Sequence, residues 1–367
     1  MNVEVLIYAY LAVCAAMIGF NIVCIFVFRH KDKKLDRRSR KYTEQICEII
    51  QTDAKGVDER HRDTLRKTLR NPAGLMAFDQ TLEKLYAEHP HEVAAYLSDI
   101  MSILAELEEV YRGKEVVEAA YFPYIIQKYK LFQGESIPAV TEMLLELVAN
   151  SSLYCRENAL QALYAVGSAQ DVINGLTILD RSGHYHHPKL ITDGLIKFSG
   201  SRRQLDEQLW AKLSLFSDGM QLAILDYFRF SSDAHCVPML RLMLSSAKRD
   251  EVVYSCLRYF GKYPYEAAYP YLLDAAERAT EDRWEYAAIA ASSLAGYPGD
   301  RTVEALKNLL SSRNWHVRYN AAQSLTSLGL QYTDLADIFE GSDRYAAEML
   351  RYRFDQRNMR EKEVTTT

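Results

Sequence analysis

From residue 218 onward, side chains of the kind that cap helix N-termini return at a constant interval: Asp218, Asp250, Asp282 and Asn314 stand 32 residues apart. Small residues that can close a helix follow a matching rhythm, at Gly167, Gly200, Ser231, Gly261, Gly296 and Gly329, with intervals of 33, 31, 30, 35 and 33. A period in the low thirties leaves room for two short helices and their turns. One such pair cannot bury its apolar faces alone, so the pairs must stack on one another. The clearest single unit is Asn314 to Gly329. There Val317, Ala321, Leu325 and Leu328 fall at i, i+4, i+8 and i+11, with Ala322 beside them. Asn314 serves as an N-cap and Gly329 as the residue just past the end.

The composition suits this reading. At 49 % hydrophobic and 25 % charged residues the chain is globular, and 16 Gly and 9 Pro are too few for the many turns of an all-β fold. The 25 tyrosines fit rings packed between helices with hydroxyls left wet. Six cysteines are scattered at 14, 24, 47, 155, 236 and 256 without any C-x-x-C pair, a usage that fits a reducing compartment.

Val5 to Phe28 carries no charge over 24 positions, enough at about 1.5 Å per residue to cross a hydrocarbon layer of about 30 Å. The Met-Asn-Val-Glu start lacks the basic region of a cleaved signal peptide, so an uncleaved transmembrane helix is expected. Within it Ala15, Gly19 and Asn21 are the residues suited to packing on another helix. Arg29, Lys31, Lys33, Lys34, Arg37, Arg38, Arg40 and Lys41 follow, a net of +6 over residues 29–41. Such a run stays in the cytoplasm, which puts the N-terminus outside and the rest of the chain inside the cell membrane, and it can rest on anionic headgroups. Residues 42–367 are left with a net charge of −10, which disfavours nucleic acid and favours a protein partner.

The expected organisation is therefore all-α. It comprises a transmembrane anchor at 1–28, a basic juxtamembrane segment at 29–41, a helical adaptor at 42–112, an α-solenoid of helix pairs at 113–360 with a capping helix from Asp343, and a disordered tail at 361–367. Within the adaptor, Tyr42 to Gln51 reads as a short amphipathic helix, Thr64 to Leu69 as the next, Leu75 to Glu88 as a third, and His89-Pro90 as the start of one running to about Tyr111.

Val317-Arg318, Ala321-Ala322 and Leu325 reproduce the V-R-x-x-A-A-x-x-L pattern, and Arg156 to Leu163 and Tyr286 to Leu294 carry weaker forms of it. On these residues the chain resembles HEAT-like repeat proteins, including the bacterial group named after phycobilisome lyases, with Asn314 to Gly329 looking like the first helix of a repeat. The likeness covers Glu135 to Asp343, although Val252 to Leu257 lacks the Arg and Asp193-Gly194 stands where small apolar residues are expected. It implies a scaffold for protein–protein interaction, an accessory subunit of a membrane assembly such as an exopolysaccharide glycosyltransferase. The alternative it implies is a bilin lyase or another tetrapyrrole-handling enzyme, against which the anchor counts.

No nucleophile elbow, zinc-protease helix or phosphate-cradling loop occurs in the chain, so neither catalysis, a cofactor nor a small-molecule substrate is expected. His184, His186 and His187 cluster without a further ligand at zinc spacing and read as a loop before Pro188. Tyr263 and Tyr265, at an inter-helix turn, with Arg258 and Trp315, are the candidate partner-binding residues. Arg318, Asn320, Ala321, Ala322 and Ala288 read as structural, with Arg318 expected to pair with an acidic residue of a neighbouring repeat, Glu281, Asp282 or Glu285.

Overall fold

The computed structural model describes residues 3–51, 56–135, 137–231, 236–246, 249–278, 280 and 283–365, and every regular element among them is helical. The chain forms two compact units, Met1–His184 with Ser199–Leu205, and Tyr185–Phe198 with Asp206–Thr367. This division falls elsewhere than at the expected border between residues 112 and 113.

In the first unit, α1 (Val3–Gln51) is one continuous helix. The expected borders at 28/29 and 41/42 are thus interior helical positions, and the short helix expected from Tyr42 is the end of α1. The reason is plain in the sequence, since neither Gly nor Pro occurs between Gly19 and Gly56. Tyr10, Leu11, Met17, Ile18 and Phe20 of α1 are exposed, whereas Tyr42 and Ile46 are buried. The helix is long and apolar enough, by length and composition, to cross a membrane. Its far end is built into the unit. The Tyr42 ring meets Phe78 edge-on at 5.9 Å, and the buried Thr81 hydroxyl donates to the Ser39 carbonyl at 3.0 Å.

Then come α2 (Glu59–Leu69), α3 (Pro72–Glu88), α4 (Pro90–Asp99), α5 (Met101–Ala105), α6 (Leu107–Arg112), α7 (Val116–Ala119), α8 (Tyr121–Tyr129), α9 (Pro138–Val148), α10 (Leu153–Val166) and α11 (Ala169–Arg181). Asp58 caps α2 through the His61 N–H at 2.7 Å, so that helix starts five residues before the expected Thr64. The single helix expected from Pro90 is three, interrupted at Ile100, which leaves helical geometry, and at Glu106.

The second unit continues with α12 (Pro188–Ile196), the latter part of α13 (Arg202–Lys212), α14 (Asp218–Phe230), α15 (Val237–Ser246), α16 (Asp250–Lys262), α17 (Tyr269–Glu277), α18 (Trp284–Ser293), α19 (Asp300–Leu309), α20 (Trp315–Ser327), α21 (Ala336–Phe339) and α22 (Arg344–Thr365). Here α12, α14, α16, α18, α20 and α22 form one layer, each packed on the next. In front of them α15, α17, α19 and α21 each pack on the helix that follows in sequence. These are the helix pairs that the 32-residue recurrence demands.

The boundaries differ in detail. Asp218 and Asp250 are the first helical residues, not caps, while Asn314 is an N-cap whose Oδ1 accepts the His316 N–H at 2.8 Å. Asp282 lies outside the described residues. The recurring aspartates link repeats instead: Arg249 pairs with Asp218, and Arg283 pairs with Asp250 at 2.6 Å. Gly329 follows the last helical turn of α20 with φ of 81°, the left-handed geometry that glycine tolerates.

Gly261 does not end a helix, because α16 runs on to Lys262. Its role is close approach. A Cβ there would stand 2.8 Å from the Cα of Ser293 on α18. Helix α22 extends to Thr365, so the tail expected from residue 361 is helical that far, and Thr366 and Thr367 lie outside the described residues.

Candidate protein-docking groove

The layer from α14 to α20 is held in register by side chains that donate to backbone carbonyls of the preceding repeat. Asn320 Nδ2 donates to the Ala288 carbonyl at 2.8 Å, Ser324 Oγ to that of Ala291 at 2.7 Å, and Ser293 Oγ to that of Leu257 at 3.0 Å. Donors this short reach a neighbouring backbone only if the helices nearly touch. The fully buried Ala290, Ala291, Ala321 and Ala322, with Gly261, permit that distance. Burying Ser293 and Ser324 unbonded would cost about 1–3 kcal/mol each, so the same bonds penalise a slipped register.

Among the described residues Arg318 makes no ion pair with Glu285, the one expected partner that is described. Its Nη1 donates to the Ser312 carbonyl in the turn before its own helix, and its guanidinium lies 5.8 Å from the Tyr345 ring. Its acidic neighbour is Asp343, on the C-terminal side. The Ala346 N–H is the main influence holding that carboxyl below its ordinary range, with the Arg318 charge adding to it. Glu281 and Asp282 lie outside the described residues, and Glu285 lines the groove described next.

The first unit uses the same device: Arg156 Nη1 donates to the Asn150 and Ser151 carbonyls at 3.0 and 2.7 Å, and Asn158 Nδ2 to the Ala120 carbonyl at 2.8 Å. An Arg binding its own turn, followed two residues later by an Asn binding the previous repeat, is thus a recurring joint. The R-x-N spacing is visible in the sequence; what the two side chains bind is not.

Across this layer runs an open groove of about 640 Å³, crossing four successive helices. Arg229 and Phe230 come from α14, Arg258 and Lys262 from α16, Trp284 from α18 and His316 from α20. The Trp284 and His316 rings stack at 5.5 Å. The Arg229 guanidinium lies 4.4 Å over the exposed Phe230 ring and pairs with Asp226 at 3.0 Å.

Residues 303–332 match the HEAT repeat. This HEAT repeat contains most of α19 and all of α20, so Asn314 to Gly329 forms its second helix and not, as expected, its first. No curated protein matches the chain.

Of the four candidate binding residues, only Arg258 lines the groove. Trp315, half exposed beside the HEAT repeat's His316, stacks on Tyr319 at 4.8 Å. Tyr263 is less free than expected, whereas Tyr265 is exposed at the turn as expected. The Tyr263 ring packs 4.7 Å from Tyr259 and is half-buried, and the Tyr265 N–H donates to the Tyr297 hydroxyl at 3.0 Å. The Tyr265 ring itself stacks 6.4 Å from that of Phe260 on α16. Phe230, Trp284 and His316, which sequence reasoning passed over, are the aromatic part of the groove; their only sequence signal is an aromatic or His near a helix end in successive repeats.

The other assigned residues are scattered along the chain. Ala15, Gly19 and Asn21 are exposed on α1, as are seven of the eight basic residues, with Arg38 half-buried. His187 Nδ1 accepts the Lys189 N–H at 3.1 Å and caps α12, and His186 is buried.

Proposed function

We propose that this protein is a membrane-anchored docking scaffold. The single observation that carries the reading is the continuity of α1: an exposed apolar stretch and an exposed basic stretch lead without a break to Tyr42 and Ile46, which are buried in the first unit. From Phe28 to Tyr42 the helix rises about 20 Å. The domain would then stand off the bilayer on a stiff stem, with the basic residues at headgroup level and the body in the cytoplasm. The HEAT repeat and the open groove of the second unit supply the docking side, since stacked repeats offer extended surfaces for protein partners. A subunit of a membrane assembly, such as a glycosyltransferase that makes an exopolysaccharide, is the partner class this arrangement suits, and no turnover of its own is assigned to the chain.

The test is affinity purification of the full chain from detergent-solubilised membranes, read by mass spectrometry, together with a reporter fused after Thr367. A cytoplasmic reporter and a stoichiometric membrane-assembly protein are expected. A reporter active only on the far side of the membrane, or a chain that purifies alone, overturns the reading.

A further inference from the structure

The groove of the second unit has a chemical bias. Three cations meet at one end of it, and they are unequally compensated. Arg229 is paired with Asp226 at 3.0 Å, and Lys262 Nζ donates to the Arg229 carbonyl at 2.9 Å. Arg258 is exposed and makes no ion pair among the described residues. Desolvation and, after it, the Arg229 charge pull the Arg258 guanidinium below its ordinary pKa, with Asp226 acting the other way. A neighbouring anion would relieve that repulsion, and a carboxylate fits a guanidinium fork with two parallel bonds. Next to this cation the groove offers apolar rings, the half-exposed Phe230 and the Trp284 face, and Glu285 stands on the same wall.

We propose that the groove across α14, α16 and α18 receives a linear peptide that carries carboxylates around an apolar side chain, one carboxylate seated on Arg258 and the apolar group against Phe230 and Trp284. This rests on the docking reading and names the chemistry of its partner. A peptide suits the site better than nucleic acid does. The cations are few, one of them is already paired with Asp226, and Glu285 stands among them, so the site suits one or two carboxylates at fixed points and not a continuous phosphate chain.

The experiment uses the full chain in detergent with Trp210→Phe and Trp315→Phe, so that Trp284 is the remaining indole and reports from the groove. The probe is the peptide Glu-Glu-Phe-Glu-Glu, blocked at both ends, against Gln-Gln-Phe-Gln-Gln, inorganic phosphate and a short oligothymidylate. Saturable quenching or enhancement is expected with the acidic peptide alone, weakened about tenfold or more by Arg258→Gln with an unchanged circular dichroism spectrum. Arg258→Glu should reverse the preference and bind Lys-Lys-Phe-Lys-Lys instead. No saturable response to the acidic peptide, equal affinity for the Gln peptide, tighter binding of the oligothymidylate, or affinity indifferent to Arg258 each overturns the inference. The two readings fail separately: a partner captured equally well by wild type and Arg258→Gln leaves docking standing and removes this groove from it, whereas a chain that captures no partner removes docking itself.

Discussion

In the first unit the polar groups that tie helices together converge on one buried carboxylate. Asp79 of α3 accepts from the hydroxyls of Tyr121 and Tyr129, each at 2.7 Å, and from Lys128 Nζ at 2.8 Å, all three on α8. Burial, with Asp79 close by, pushes both tyrosine pKa values up and keeps the hydroxyls as donors. The second unit has a buried carboxylate of its own, Asp206, which accepts the Tyr227 hydroxyl at 2.7 Å, but its layer from α16 to α20 is tied in another way. It distributes single bonds, one or two per repeat, from Asn320, Ser324 and Ser293 to the backbone of the preceding helix. A hub fixes one pair of helices firmly and stakes their packing on one residue. A distributed joint can be repeated, and it leaves the exposed side of the layer available for a groove.

The sharpest way to break this contrast is to force apart two helices of the repeat layer. Ala321 is fully buried in a contact that depends on its size, so Ala321→Trp should cost the second unit about 3 kcal/mol or more by overpacking. Hydrogen exchange should show α18 to α22 loosened and α3 and α8 unaffected. Asp79→Ala should do the opposite, at about 2–3 kcal/mol, by stranding Lys128 and two tyrosine hydroxyls beside α3. If its exchange signature spread through α14 to α20, the description of separate polar systems would be wrong.

Removing one distributed joint should cost less. Asn320→Ala and Asn158→Ala each delete one bond to the previous repeat, and each should lower stability by about 1 kcal/mol in denaturant melts. Similar values would support one shared joint in both units. A negligible effect at Asn158 alone would confine the joint to the second unit.

The smallest effect is one of pH. His61 is buried with Nε2 2.7 Å from the Tyr96 hydroxyl, and desolvation lowers its pKa while Asp58 acts weakly the other way. The unfolded chain takes up a proton near pH 6.5 that the folded unit resists, so this contribution is complete above about pH 6.5 and is lost as the pH falls toward the lowered folded value. The difference in stability between wild type and His61→Phe should shrink with acidification in that window. A pH-independent difference would place His61 in a polar setting it does not have here.

The same contrast explains what could be read from residue types alone. Helix pairs in the second unit were legible because stacking repeats one requirement, leaving small residues at Ala288, Ala290, Ala321 and Ala322 and an aspartate or asparagine at each helix start. The Asp79 hub was not legible, since its partners lie 42 to 50 residues away and occur once. The unbroken α1 was hidden by its own composition, because a change from apolar to basic residues looks like a boundary although no helix breaker stands there. The groove was half legible: Arg258 belongs to it, but Tyr263 and Tyr265, which flank Pro264 at a turn, do not, and local signals do not reveal that the Tyr263 ring packs on Tyr259 or that the Tyr265 N–H donates to Tyr297. Phe230 and Trp284 become neighbours of Arg258 only after α14, α16 and α18 are stacked.

Site-specific photo-crosslinking in living cells tests the docking account most directly. A photoreactive amino acid placed at Ser292, on the groove wall, should give a discrete adduct with another protein. The same residue placed at the exposed Arg301, on α19 of the other layer, should give none. Adducts of equal yield at both positions, or none at Ser292 in cells that contain the full chain, would contradict the claim that this face of the repeat layer is where a partner docks.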